Sequence, residues 1–257
     1  PFITQVVEAM GVEDQLVGVD TTSRYNEFLK TLPDIGYRIS LSTEGILSLK
    51  PTLVLWSSES GPALVVEQVN GTGIVSHLLN KPENFQDLQA LVDRLGTVLN
   101  VEEKSKEVNE TLTRSYQKLQ EATVQRGDRK AIFIMDQMGG HGSKSFAGAD
   151  TSANHLIEMI GMTNPFASQF TSYKSVNLET QIQQGADVVL MGQLKEFAEK
   201  DSPIVRRDPS MLGWPKNVQP KCVFEVDIGH LLVYGVHLYD DALILNSKVD
   251  ECLGEAQ

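Results

Sequence analysis

Cysteine is nearly absent from this 257-residue chain, which has only Cys222 and Cys252. Two cysteines are too few for a disulfide scaffold, and they lack the CxxC spacing of a zinc or redox site. One disulfide and two free thiols fit this pattern equally, so the redox compartment stays open here. No apolar run approaches the roughly 18 residues of a membrane-spanning helix. Positive charge is scarce. The chain has 22 Lys and Arg against 34 Asp and Glu, a net charge of −12. That balance disfavours nonspecific binding to nucleic acid or anionic membrane. The chain starts Pro1-Phe2-Ile3-Thr4, without an initiator Met or a signal peptide, and reads as a mature, truncated or trimmed form.

Catalytic fingerprints are missing too. There is no GxGxxG after a strand, no Walker A sequence, no HExxH and no GxSxG. The loop Gly139-Gly140-His141-Gly142-Ser143 is glycine-rich but lacks the GK[ST] ending of a phosphate loop. Of the five histidines, His230 and His237 form a loose group with Asp240 and Asp241, which reads as a wet loop at a helix start. His155 falls inside a helical pattern and reads as structural.

What remains is an ordinary globular composition, 41% apolar and 22% charged. The length suits one large domain or two small ones. The first half alternates helix and strand. Phe2 to Met10 is a helical pattern ended by Gly11, and Gln15 to Val19 reads as a short strand. Ser42 is an N-cap candidate with Glu44 in the first turn that follows. Leu53 to Trp56 is an apolar strand of the kind buried on both faces of a parallel sheet. A helix from about Ala63 to Val69 and a strand from Ile74 to Leu79 complete this βαβ grammar. Between Asn84 and Arg126 only Gly96 breaks the helical pattern. Val101, Val108, Leu112 and Leu119 share one helical face, so a single helix from Thr97 to Gln125 is expected. It would be about 44 Å long, a strut between two lobes. Alternation then resumes: a strand at Ala131 to Met135, a helix at Ser152 to Ile160, a strand at Val188 to Leu190 and another at Cys222 to Val226. Residues 200–220 read as a long loop, and Leu238 to Leu253 as a terminal helix.

The two halves echo each other. Tyr37-Arg38, Glu44 and Val54-Leu55 recur at the same spacing as Tyr173-Lys174, Glu179 and Val189-Leu190. Val7-Glu8-Ala9-Met10-Gly11 is echoed by Ile157-Glu158-Met159-Ile160-Gly161. Two similar lobes on a strut imply a cleft between them.

Three features could carry function. Tyr37 follows Gly36 and precedes Arg38; a phenolate can ligate ferric iron, and a neighbouring guanidinium can favour that ionised form or pair with a ligand carboxylate. Glu44 and Glu179 occupy equivalent helix starts, where they either favour the helix N-terminus or dock a symmetric basic partner.

The runs Val17-Gly18-Val19-Asp20-Thr21-Thr22-Ser23-Arg24-Tyr25 and Leu32-Pro33-Asp34-Ile35-Gly36-Tyr37 resemble the periplasmic haem-binding proteins of bacterial ABC haem importers. These belong to the wider iron-siderophore and vitamin B12 periplasmic-binding family. Leu41-Ser42-Thr43-Glu44-Gly45-Ile46-Leu47-Ser48-Leu49-Lys50-Pro51 continues the resemblance, and Ala147-Gly148-Ala149-Asp150-Thr151-Ser152-Ala153 supports it in the second half. It covers most of residues 2–200. The fold it implies is α/β, two similar lobes with parallel-type sheets joined by one long inter-lobe helix. The expected division is residues 1–96, a linking helix at 97–126, and residues 127–257. The family opens with a strand ahead of the first helix, and that strand is expected to be missing here.

By this resemblance the protein is no enzyme. It binds haem as transported ligand and delivers it to an inner-membrane permease, as a monomer in the periplasm or anchored outside the cell membrane. Tyr37 corresponds to the axial iron ligand. The family's arginine two residues later is Ile39 here, with Arg38 one place early as the candidate support. His141 is the candidate second ligand. Arg38, Lys174, Arg206 and Arg207 are candidate partners for the haem propionates. Glu44 and Glu179 correspond to the carboxylates that dock arginines of the permease. Alternatives are a ferric siderophore or cobalamin in the same fold, an enzyme using the cleft, and a structural or adhesive protein.

Overall fold

The computed structural model describes residues 1–135, 144–193 and 203–255. Its contacts divide the chain into two compact units, Pro1–Arg114 with Tyr234–Val236, and Ser115–Val233 with His237–Gln257.

The first unit opens with helix α1, Phe2–Ala9, which buries Phe2, Val6 and Val7. Gly11 ends it at φ +62°, a left-handed conformation that suits glycine. The strand expected at Gln15 to Val19 is not formed. Glu13–Gln15 make a 3₁₀ turn, and Val19 makes only an isolated bridge to Asp34. The cause lies next door. The Asp20 carboxylate accepts from the Thr22 amide at 2.9 Å and caps a further turn, so the chain curls away after one bridge. Helix α2, Glu27–Thr31, follows its Asn26 cap. Strands β1 (Gly36–Tyr37) and β2 (Ser40–Leu41) form a tight antiparallel hairpin.

Helix α3, Thr43–Ser48, starts at Ser42 as expected, with Ser42 Oγ accepting from the Gly45 amide at 3.1 Å. Strand β3, Leu53–Ser57, pairs in parallel with β4, Val75–Leu79, across helix α4, Ala63–Asn70. The apolar run Leu53 to Trp56 does form the strand, but only Trp56 is fully buried.

Helix α5, Phe85–Leu99, is capped by Asn84. Helix α6 covers Glu102–Ala122, about 31 Å at ~1.5 Å per residue. The single helix expected from Thr97 is therefore broken. Asn100 adopts φ 56°, ψ 47° and ends α5 as a left-handed cap. Gly96 lets the two helices meet, since a Cβ there would lie 2.4 Å from Ser105 Oγ. Ser105, Val108, Leu112, Ser115 and Leu119 form the buried stripe of α6. Along the chain α6 leaves the first unit at Arg114 and enters the second at Ser115.

The second unit is built from β5 (Ala131–Met135), β6 (Ser145–Ala147), α7 (Ser152–Met159) and β7 (Tyr173–Ser175). Then come α8 (Leu178–Gln184), β8 (Val188–Gln193), β9 (Ile204–Arg207), β10 (Cys222–Asp227), α9 (Ile228–Leu231) and α10 (Leu238–Glu255). Among the described residues the sheet order is β7-β6-β5-β8-β10-β9, with β5, β8 and β10 parallel. Ile132, Ile134, Phe146, Phe166, Val189 and Val223 form its core. Part of the expected 200–220 loop is the edge strand β9, antiparallel to β10. It buries Ile204 and leaves Arg206 and Arg207 outside, the charged pattern that protects a sheet edge. Cys222 and Cys252 are bonded, tying β10 to α10.

Arg126 locks the end of the α6 segment into this unit. Its Nη2 donates to Asp250 Oδ1 at 2.6 Å and to Asn246 Oδ1 at 2.9 Å, and its Nη1 donates to the Ile160 carbonyl.

Candidate functional site

Tyr37 owes its position to Gly36. Gly36 sits at φ +102°, and a Cβ there would lie 2.9 Å from the Ser40 carbonyl oxygen. A side chain would strain the hairpin, so glycine at 36 is a backbone requirement. The hairpin is braced from outside: the Gly61 amide donates to the Arg38 carbonyl at 2.8 Å, and the Leu41 amide donates to the Gly61 carbonyl at 3.0 Å.

Tyr37 is 42% exposed. The other five tyrosines are half-buried or buried. Tyr25 donates to the Glu8 carboxylate, and burial together with that acceptor pushes its phenol far above the ordinary range. Burial pushes Tyr173 up to about 12. Both stay neutral. Tyr37 is the phenol presented to solvent. Its oxygen accepts one hydrogen bond, from Arg38 Nη1 at 2.8 Å, which leaves lone-pair capacity for a metal ion.

Arg38 is held from both sides. Its guanidinium carbon lies 5.2 Å from the Tyr37 ring centre. Its Nε stands 3.3 Å from Glu59 Oε2 but is not aligned for a hydrogen bond, so the pair is electrostatic. Lys81 Nζ approaches the same carboxylate at 3.7 Å. Glu59 follows the carboxyl end of β3, and Lys81 lies just beyond that of β4. Ligand sites of α/β sheets lie outside the carboxyl ends of parallel strands. Sequence reading missed Glu59 and Lys81; their place just after two apolar strands was the signal. Ile39, where the resemblance puts an arginine, is an exposed apolar side chain.

Glu44 and Glu179 are both exposed. Each is the second residue of a short helix behind a side-chain cap, Ser42 for α3 and Asn177 for α8. Each precedes the first residue of a parallel strand, Leu53 or Val188, by nine positions. Neither has an ion-pair partner among the described residues.

His141 lies outside the described residues. Of the other propionate candidates, Arg207 is engaged by Glu225, with Nη2 to Oε2 at 2.8 Å. Arg206 is exposed on β9. Lys174 is exposed on β7 and stands 5.6 Å from the Phe170 ring centre. The His230 group proves more ordered than a wet loop. His230 Nδ1 lies 2.9 Å from Asp241 Oδ2, and its ring stacks on His237 at 5.1 Å. The Asp241 hydrogen bond raises the His230 pKa, burial opposes the rise, and the Asp241 and Asp227 charges support it. No group of three or more His, Cys, Asp or Glu able to hold a metal ion occurs among the described residues.

A cavity of about 420 Å³ lies within the first unit, along β3. Arg38 reaches its wall; Tyr37, Glu44 and Glu59 do not line it.

The two units are both of the α/β class, and the first presents an exposed phenol-guanidinium pair. The chain belongs to the periplasmic binding protein family, whose profile matches residues 1–210. It is 25% identical over 233 residues to the uncharacterised ABC transporter substrate-binding lipoprotein YvrC of Bacillus subtilis, covering 88% of this chain and 70% of that protein. It is 24% identical over 191 residues to the vitamin B12-binding protein of Yersinia pestis, covering 74% of this chain and 66% of that one. Among solved structures, the periplasmic haem-binding protein BhuT in complex with two haems superposes with a TM-score of 0.82 at 25% identity, over 98% of this chain and 96% of the other. The periplasmic haem-binding protein HutB of Vibrio cholerae gives 0.79 at 26% identity, over 96% and 95%. These similarities bear out the α/β two-lobe fold class.

Proposed function

We propose that this chain binds haem in the periplasm and delivers it to the permease of an ABC importer, with Tyr37 as the ligand to ferric iron. Tyr37 carries the reading: it is the exposed phenol, set in a tight hairpin that the positive φ of Gly36 permits, its oxygen already receiving one hydrogen bond from a cation. A phenolate is a hard anionic ligand suited to ferric haem. Likeness to BhuT and HutB supports the choice of ligand.

Haem is an apolar plate with two carboxylates. Exposed Ile39 beside Tyr37 offers apolar surface. Arg38 is the cation nearest the phenol, with Lys81 behind the shared Glu59. This local positive charge counters a protein that is otherwise acidic. His141 is proposed as a second ligand, from the segment between β5 and β6. The Cys222–Cys252 bond accords with an oxidising compartment such as the periplasm.

Glu44 and Glu179 are proposed as docking points for basic side chains of the permease. Exposure, equivalent placement in the two units and the lack of an ion-pair partner among the described residues support that role.

A second reading, cobalamin, is favoured by the vitamin B12-binding relative. Separate titrations of the purified protein with ferric haem and with cyanocobalamin, followed by absorption and tryptophan quenching, decide between them. Saturable haem binding with cobalamin inert supports the proposal; the reverse replaces haem with cobalamin. Saturation by neither sends the search to ferric siderophores.

A further inference from the structure

The chain leaving β3 is a serine-rich run, Ser57-Ser58-Glu59-Ser60-Gly61, and its hydroxyls fix where Glu59 stands. Ser57 Oγ accepts from the Glu59 amide at 2.9 Å, and Ser60 Oγ accepts from the Ser57 amide at 3.1 Å. Serine hydroxyls bonded to nearby amides in this way hold a turn in one shape. The Ser58 amide donates to the Leu79 carbonyl at 2.9 Å, and Ser58 Oγ accepts from the Lys81 amide at 3.1 Å. The turn is thereby stitched to the chain that carries Lys81. Gly61 stitches its other end to the Arg38 hairpin. Three separate stretches of the first unit thus place one carboxylate beside two cations.

The pairing itself is loose. Arg38 Nε, 3.3 Å from Glu59 Oε2, is a buried donor without a hydrogen-bond partner. Lys81 Nζ, 3.7 Å from Oε1, is beyond hydrogen-bond reach. Arg38 Nη2 and Lys81 Nζ donate no hydrogen bond among the described residues. The three side chains are partly in water, 32% exposed for Arg38 and 38% for Glu59 and Lys81. A carboxylate so placed contributes little to stability. It does cancel one of two positive charges at the site proposed for a ligand with two carboxylates.

We propose that Glu59 competes with the ligand's own carboxylate for Arg38 and Lys81, and so limits how tightly haem is held. The inference rests on the haem reading given above and adds to it a residue that works against binding. A propionate approaching Arg38 and Lys81 finds Glu59 already beside them. It displaces Glu59 or shares the cations with it, and two carboxylates at one site repel. As haem leaves, Glu59 takes the cations back, which favours delivery. The exchange spares the iron ligand, because Arg38 serves the Tyr37 oxygen through Nη1 at 2.8 Å and faces Glu59 through Nε.

Two ligands test this, ferric haem and its dimethyl ester, which keeps the iron and lacks both carboxylates. Each is titrated, in the same dilute detergent, into the unaltered chain, Glu59→Gln and Glu59→Asp. Glu59→Gln should bind haem about three- to tenfold more tightly, the effect of removing one like charge about 5 Å away in a wet site. Its release of haem to excess apomyoglobin should slow in proportion. Its affinity for the ester should stay within about twofold of the unaltered chain, since the ester brings no like charge. Glu59→Asp keeps the charge and should follow the unaltered chain with both ligands. A merely structural role for Glu59 gives the opposite sign, weaker binding of haem and ester alike, and that result overturns the proposal. Equal haem affinity in the three chains overturns it too, as does equal tightening toward haem and ester. Failure of the haem reading shows separately, as no saturation of the unaltered chain by haem, and the proposal then falls with it.

Discussion

Breaking the Cys222–Cys252 bond should destabilise the second unit by an amount set by its loop. The bridged cysteines are 30 residues apart. Closing a loop of that length removes about 12 cal/mol/K from the unfolded chain, about 3.6 kcal/mol at 25 °C. At about 2–4 °C per kcal/mol, the melting temperature should fall by roughly 7–14 °C. Both cysteines are fully buried, so the double variant Cys222→Ala/Cys252→Ala also loses some packing and falls at the upper end. Each unit has its own reporter, Trp56 in the first and Trp214 in the second. Trp56→Phe leaves Trp214 fluorescence to follow the second unit alone. Thermal unfolding with and without the double exchange reads the effect. A shift below about 2 °C in the Trp214 transition would refute the reasoning, because the loop term alone exceeds it.

Three further outcomes are expected. Glu44→Arg with Glu179→Arg should abolish haem uptake in a reconstituted importer while leaving haem affinity within about twofold, since neither carboxylate touches the Tyr37 site; unchanged uptake counts against docking. The His230–Asp241 pair makes stability pH-dependent. The folded pKa of His230 is raised above 6.5, so its contribution is full below about pH 6.5 and is lost as pH rises through the folded value. Denaturant melts of Asp241→Asn should flatten that slope; an unchanged slope argues against the pair. Arg126→Gln should cost about 2–3 kcal/mol in urea unfolding, because the Ile160 carbonyl and Asn246 lose a charged donor; a cost under about 0.5 kcal/mol would show that the lock is redundant.

Local chemistry made much of the fold legible. The Ser42 cap, the apolar runs of β3 and β8, and the glycines closing α1 and α7 are decided by neighbouring residues, and the structure has them where the patterns put them. The failures were tertiary. Asn100 reads as an ordinary helix residue until the close contact of Gly96 with Ser105 folds α6 back against α5. Gln15 to Val19 has strand composition, but its neighbour supplies one bridge and Asp20 ends it. Strand β9 hid in a polar stretch because only Ile204 of its four residues is buried, and its Arg206 and Arg207 lie exposed at the sheet edge. At the site, Gly36-Tyr37-Arg38 was readable as chemistry. Glu59 and Lys81 come together with Arg38 only once β3 and β4 lie side by side, a neighbourhood absent from any short motif.

Tyr37 is proposed to hold ferric haem iron. Titrating ferric haem into the protein and into Tyr37→Phe, while recording visible absorption, tests it most directly. Saturable binding is expected, with a ferric tyrosinate spectrum that is lost in the variant and affinity reduced at least about tenfold. An identical spectrum and affinity in the variant would contradict it.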